Sequence, residues 1–110
     1  MKLPNADRAV VEIAKLRDYC LSPDHPRGRN KARVFASALG LTARHAEFLR
    51  TALSEAAVRE DATPTDRDEF GQRFVVDFGM TGPAGTGRVR CSWIIRTNEN
   101  FPRLTRCYVL

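Results

Sequence analysis

FGQRFVVDFGMTGPAGTGRVRCSWIIRTNENFPRLTRCYV, residues 70–109, decides the fold. Its apolar residues recur with period two, the pattern of strands that bury one face. Phe74, Val76 and Phe78 alternate with Arg73, Val75 and Asp77. Val89, Cys91, Trp93 and Ile95 alternate with Arg88, Arg90, Ser92, Ile94 and Arg96. Four glycines and a proline between Gly79 and Gly87 mark a turn, and Thr97 to Asn100 turns the chain again. A third strand is expected from about Arg103 to Val109. One sheet face is then apolar, and the other carries Arg88, Arg90, Ser92 and Arg96. On the third strand Arg103 and Thr105 alternate with Leu104 and Arg106, so either parity leaves at least one arginine on the polar face.

Upstream of Phe70 the period changes to that of helices. Ile13, Leu16, Tyr19 and Cys20 share one helical face, and Ser22-Pro23 stops that helix. A short β-type run, Ala9-Val10-Val11, suggests an edge strand before it. Two prolines and a glycine make residues 22–30 a loop. A second helix is expected from Asn30, a plausible N-cap, to Gly40 at C′, with Val34, Phe35, Ala38 and Leu39 on its apolar face. Thr42 caps a third helix whose buried stripe is Ala46, Leu49, Leu53, Ala56 and Ala57. Residues 60–69, EDATPTDRDE, are acidic and polar and are expected to be a solvated loop.

The order of elements predicts an α+β fold: two to three N-terminal helices packed on a three- to four-stranded antiparallel sheet. The 110 residues suit a single domain, with a helical half over 1–59, the acidic loop 60–69 and a sheet half over 70–110. No apolar run is long enough to cross a membrane, and MKLPNADRAVV does not read as a secretory signal, so a cytoplasmic location without membrane contact is expected. Cys20, Cys91 and Cys107 are an odd number without short spacing, which argues for free buried thiols over a disulfide framework or a zinc site.

The formal net charge is +5. Residues 1–69 hold twelve Lys/Arg against eleven Asp/Glu, whereas residues 70–110 hold six arginines against two acids. This asymmetry points to a polyanionic partner, nucleic acid above all. Guanidinium groups on the polar sheet face, Arg88, Arg90 and Arg96, suit phosphate oxygens because each donates two parallel hydrogen bonds. A second basic cluster, His25-Pro26-Arg27-Gly28-Arg29-Asn30-Lys31-Ala32-Arg33, contains four cations and a histidine able to exchange a proton near neutral pH. No dinucleotide fingerprint, P-loop, zinc helix or nucleophile elbow is present. Neither a cofactor nor a metal is expected. A metal-independent ribonuclease needs proton-transfer groups and cations around a phosphodiester, and His25, Lys31, Arg96, Arg103, Thr105 and Tyr108 are residues of the right types.

HPRGRNKARVF at 25–35, TGPAGTGRVRCSW at 81–93 and PRLTRCYV at 102–109, together with LPN at 3–5, KLRDYCLS at 15–22, LGLT at 39–42 and FGQRFVVD at 70–77, resemble a small bacterial domain family found alone or at the ends of larger proteins. More distantly, the chain resembles the nuclease fold shared by barnase, EndoU, colicin E5 and RelE. That resemblance implies a metal-independent endoribonuclease of bacterial toxin type acting through the RNA 2′-OH, with an acidic neutralising protein (an antitoxin or immunity protein) as a possible partner. It implies His25, Lys31, Arg103 and Thr105 as catalytic residues. Arg27, Arg29, Arg33, Arg88, Arg90, Arg96 and Tyr108 would bind RNA. The alternative is a non-catalytic basic module that binds nucleic acid or an acidic protein.

Overall fold

A computed structural model describes residues 1–110. A 3₁₀ turn at Ala6–Arg8 leads into α1, an α-turn at Ile13–Lys15 that widens to a π-type turn over Leu16–Cys20. Helix α2 is built the same way, from Arg29–Val34 and Phe35–Leu39. Helix α3 begins with a 3₁₀ turn at Ala43–His45 and runs on over Ala46–Arg59. Strands β1 (Thr63–Asp68), β2 (Gly71–Gly82), β3 (Gly85–Arg96) and β4 (Pro102–Val109) form one antiparallel sheet in the order β1-β2-β3-β4. The α+β fold and the helices-first order agree with the sequence. No helix is long and apolar enough to cross a membrane.

The fourth strand is the main departure. The supposed loop at 60–69 contains β1, every residue of which is exposed. A strand wet on both faces has no apolar alternation to betray it, and Pro64 together with an irregularity between Pro64 and Arg67 suits an edge position. The supposed strand at 9–11 shrinks to one residue: Val10 bridges Arg103 in parallel, giving its N–H to Pro102 O at 2.9 Å and taking Leu104 N–H at 3.0 Å.

Helix boundaries follow local chemistry. Asn30 does not cap α2. His25 does that work, its Nδ1 accepting the N–H of Arg27 and of Gly28, both at 3.1 Å. Val34 turns outward and is exposed, while Ala32, Phe35 and Leu39 are buried. Gly40 ends the helix in the left-handed region (φ 72°), where glycine is least strained. Thr42 opens α3 with its backbone N–H donating to His45 Nδ1 at 3.0 Å. The stripe Ala46, Leu49, Leu53, Ala56 and Ala57 is buried as its spacing required.

These helices cover one face of the sheet. Phe74, Val76, Phe78 and Met80 of β2, Val89, Cys91 and Trp93 of β3, and Leu104 and Cys107 of β4 point into that layer. Trp93 lies fully buried on an inner strand, its indole N–H donating to Cys91 Sγ at 3.3 Å. The Cys91 S–H in turn donates to Val76 O at 3.3 Å, so the polar tip of a large aromatic is satisfied inside the core. All three cysteines are buried and unpaired.

Candidate functional site

The solvent-facing side of the sheet is read directly from the register. Asp77, Arg90 and Tyr108 stand side by side across β2, β3 and β4. The next row is Val75, Ser92 and Arg106, and the next Arg73, Ile94 and Arg103. Between the last two rows β4 carries a bulge: Leu104 pairs with Trp93 and Arg106 with Ser92, which leaves Thr105 without a partner. Its hydroxyl donates to Ser92 O at 3.1 Å. Such an extra residue shifts the side-chain parity by one. Arg103 and Arg106, which simple alternation would send one to each face, therefore share the polar face. With Arg73, Arg88, Arg90 and Arg96 they place all six arginines of residues 70–110 on that one surface.

Three of the six are tied to carboxylates. Arg90 forks onto Asp77 through two 2.8 Å hydrogen bonds. Arg103 forks onto Glu99, also at 2.8 Å twice, and its guanidinium carbon lies 5.0 Å from the centre of the Phe101 ring. Arg73 bridges Asp68 at 2.8 Å and Asp66 at 3.3 Å. The hydrogen bonds from these guanidiniums hold the Asp77, Glu99 and Asp68 carboxyls below their usual range, against the opposing effect of burial. Arg88, Arg96 and Arg106 have no carboxylate partner. A groove of about 510 Å³ opens among Arg73, Arg106, Ser92, Thr105, Thr65 and Asp66. It adjoins a second depression of about 360 Å³ beside Asp77, Arg90 and Asp61, with Thr65 and Val75 common to both.

The helical cluster reaches this surface at one point. Lys31 of α2 extends over the Tyr108 ring, Nζ 4.7 Å from its centre, and Tyr108 stands directly across the strand pair from Arg90. His25 stays on the helical side, its ring 4.3 Å from that of Tyr19. With Nδ1 accepting two backbone N–H groups, the neutral ring carries its proton on Nε2. Tyr19 lines a cleft of about 460 Å³ together with Lys15, Asp18, Glu12 and Thr105, so the bulged threonine belongs to both the sheet groove and the helix–sheet cleft.

Arg29 and Arg33 do not join them. They lie two residues to either side of Lys31 in α2, about 200° around the axis, and border a separate depression with Leu21, Pro23 and Leu41. Arg27 is exposed in the loop before α2. The structure thus gathers Lys31, Arg88, Arg90, Arg96, Arg103, Thr105 and Tyr108 around the polar sheet face and its β4 edge, keeps His25 on the helical side against Tyr19, and turns Arg29 and Arg33 away. Arg106, Arg73, Lys15 and Tyr19 are additions. Arg106 escaped the sequence reading because its face depends on a bulge that no residue type announces.

The cysteines beneath the β4 edge serve packing. Burial pushes the Cys91 thiol up to about 12. Cys107 is also raised, first by its hydrogen bond with Cys20 and then by burial. The partner thiol of Cys20 is lowered by the same bond, with Lys15 and Lys31 contributing.

The whole arrangement of elements is found in a chain of the contact-dependent growth inhibition toxin–immunity protein complex from Klebsiella pneumoniae 342, which is 14% identical, superposes with a TM-score of 0.68 and matches over 96% of each chain. At that identity the likeness is one of fold. No curated protein matches the chain. A family model covers residues 2–110, and by that match the chain belongs to DUF6883, a family described as a domain of unknown function.

Proposed function

We propose that this domain is a metal-independent endoribonuclease of bacterial toxin type, acting where Lys31 meets the arginine face. The observation that carries the reading is Lys31 Nζ held 4.7 Å from the centre of the Tyr108 ring, with Arg90 paired to Tyr108 across the strands. It brings a cation from the helical half onto the basic sheet, and the shared fold with a chain from a toxin–immunity complex supports it. In this reaction the RNA 2′-oxygen bonds to phosphorus, the bond from phosphorus to the 5′-oxygen breaks, and a 2′,3′-cyclic phosphate and a 5′-hydroxyl result. The 2′-OH loses its proton to a base and the 5′-oxygen gains one from an acid. Lys31 stabilises the charge that builds on the phosphoryl oxygens, and Arg90, held in place by Asp77, adds its field from the neighbouring strand. Tyr108 on the sheet side and His25 Nε2 on the helical side are the proton-transfer groups, Thr105 steers the RNA backbone next to the reacting phosphate, and Arg103 shapes the surface through Glu99 and Phe101. An acidic neutralising protein is the partner such a surface would take.

The test is purified domain with total RNA in excess EDTA. Cleavage with cyclic-phosphate ends is expected, and Lys31→Ala should reduce it about a hundredfold. Intact RNA throughout the pH range in which the domain stays folded removes the reading.

A second reading has its own support. Arg73, Arg90 and Arg103 already hold carboxylates, which halves the free charge of the face and suits a binding module for an acidic protein or for nucleic acid that is not cut. It expects salt-sensitive binding with no product.

A further inference from the structure

Arg106 differs from the other arginines on the sheet. It has no carboxylate partner, yet it is seated: its Nε lies 3.5 Å from Oγ of Ser92, a residue only 8% exposed. That contact engages Nε and leaves the two terminal nitrogens without a protein acceptor. The bulged Thr105 beside it and Thr65 across the groove add hydroxyls, and Arg73 adds a second guanidinium. Asp66, the one acid in the groove, is bonded to Arg73 at 3.3 Å. A half-anchored guanidinium with hydroxyls around an open groove is the chemistry of a phosphate site.

Its position says which phosphate. Arg106 and Tyr108 are two residues apart on one face of β4, about 7 Å along the strand. That separation is on the scale of one nucleotide of extended backbone. We propose that the Arg106–Ser92–Thr105 groove binds the phosphate adjacent to the one held at Lys31 and Tyr108, so that a single-stranded RNA lies along β4. The assignment rests on the nuclease reading for the neighbouring phosphate and adds a second subsite to it.

The probe is a short fluorescent 2′-deoxyoligonucleotide, which has no attacking hydroxyl and stays intact, followed by anisotropy with the whole 110-residue domain. Arg106→Gln should weaken binding about tenfold, the loss of one charge-assisted contact. Arg44→Gln removes the same charge from an exposed site on α3 and should change binding by less than about twofold. Arg106→Lys, which keeps the charge and loses the fork, should fall between, and it guards against a folding defect in the glutamine variant. Equal weakening by Arg106→Gln and Arg44→Gln would show a net-charge effect and overturn the subsite. No binding by the unaltered domain would overturn it as well. Total RNA incubated in parallel separates the two ideas. Cleaved RNA with binding indifferent to Arg106 sinks the subsite and leaves the nuclease. Intact RNA with Arg106-dependent binding sinks the nuclease and supports the subsite.

Discussion

Arg103 and Arg106 share a strand and a face, but their surroundings give them different jobs. The side chains of Arg103 and Glu99 are only 25% and 17% exposed, and each satisfies the other. Removing one partner strands a largely buried charge on the other. Arg103→Ala should therefore lower the thermal midpoint by several degrees in a circular-dichroism melt, and Arg106→Gln should leave it nearly unchanged. If Arg103→Ala melts like the unaltered domain, the ion pair is not structural and a direct role for Arg103 on RNA regains its case. Acid titration tests the same pairs together. Asp68, Asp77 and Glu99 have native pKa values held below their ordinary 3.8, 3.8 and 4.5 by hydrogen bonds from arginine. Depressed carboxylate pKa values contribute stability that is fully present above those ordinary values and is lost as the pH falls through the native ones. The melting midpoint should accordingly hold steady down to about pH 5 and drop below it. A midpoint flat from neutrality to pH 3 would contradict the pairs.

At the scale of elements, the β2–β3 hairpin explains a motif that the sequence offered without a reason. The TGPAGT segment docks on the end of α2: Ala84 N–H donates to Leu39 O at 3.1 Å, and a Cβ on Gly82 would drive into that same carbonyl. Gly82→Ala should cost about 2–4 kcal/mol in urea denaturation, the range of a backbone clash that the fold cannot easily relieve. Gly79 is the control, since a Cβ there meets nothing within 4 Å, and Gly79→Ala should be neutral to slightly stabilising. Equal costs at the two positions would refute the docking argument. The elements that alternation or helical spacing could announce were legible: β2, β3, β4, the α3 stripe and the Gly40 stop. What escaped was whatever lacks an apolar face. β1 is polar on both sides, and the Thr105 bulge changes parity without changing composition. The candidate site shares that fate. Its arginines were visible as a class, but which of them stand together depends on the bulge, and which are free depends on acids contributed by β1, β2 and the β3–β4 turn.

For the whole molecule, the question is how much of the +5 charge acts on a partner. Most of the excess belongs to residues 70–110, and the fold turns all six of their arginines to one side of the sheet, away from the helices. Asp66, Asp68, Asp77 and Glu99 then neutralise three of them internally. The cations left for phosphates around that face are Lys31, Arg88, Arg96 and Arg106. Four phosphate contacts on a single strand correspond to a slope of about −3 when log K is plotted against log salt concentration, because each contact releases condensed counterions. If the paired arginines abandoned their carboxylates for RNA, seven contacts would steepen the slope to about −5. Titrating the domain with a labelled 2′-deoxyoligonucleotide at several salt concentrations distinguishes the two. A slope of about −3 is expected, falling in magnitude by about 0.7 in Arg106→Gln. A slope near zero would mean that the arginine face does not act on nucleic-acid backbones at all, since a polyanion held by exposed guanidiniums must respond to salt.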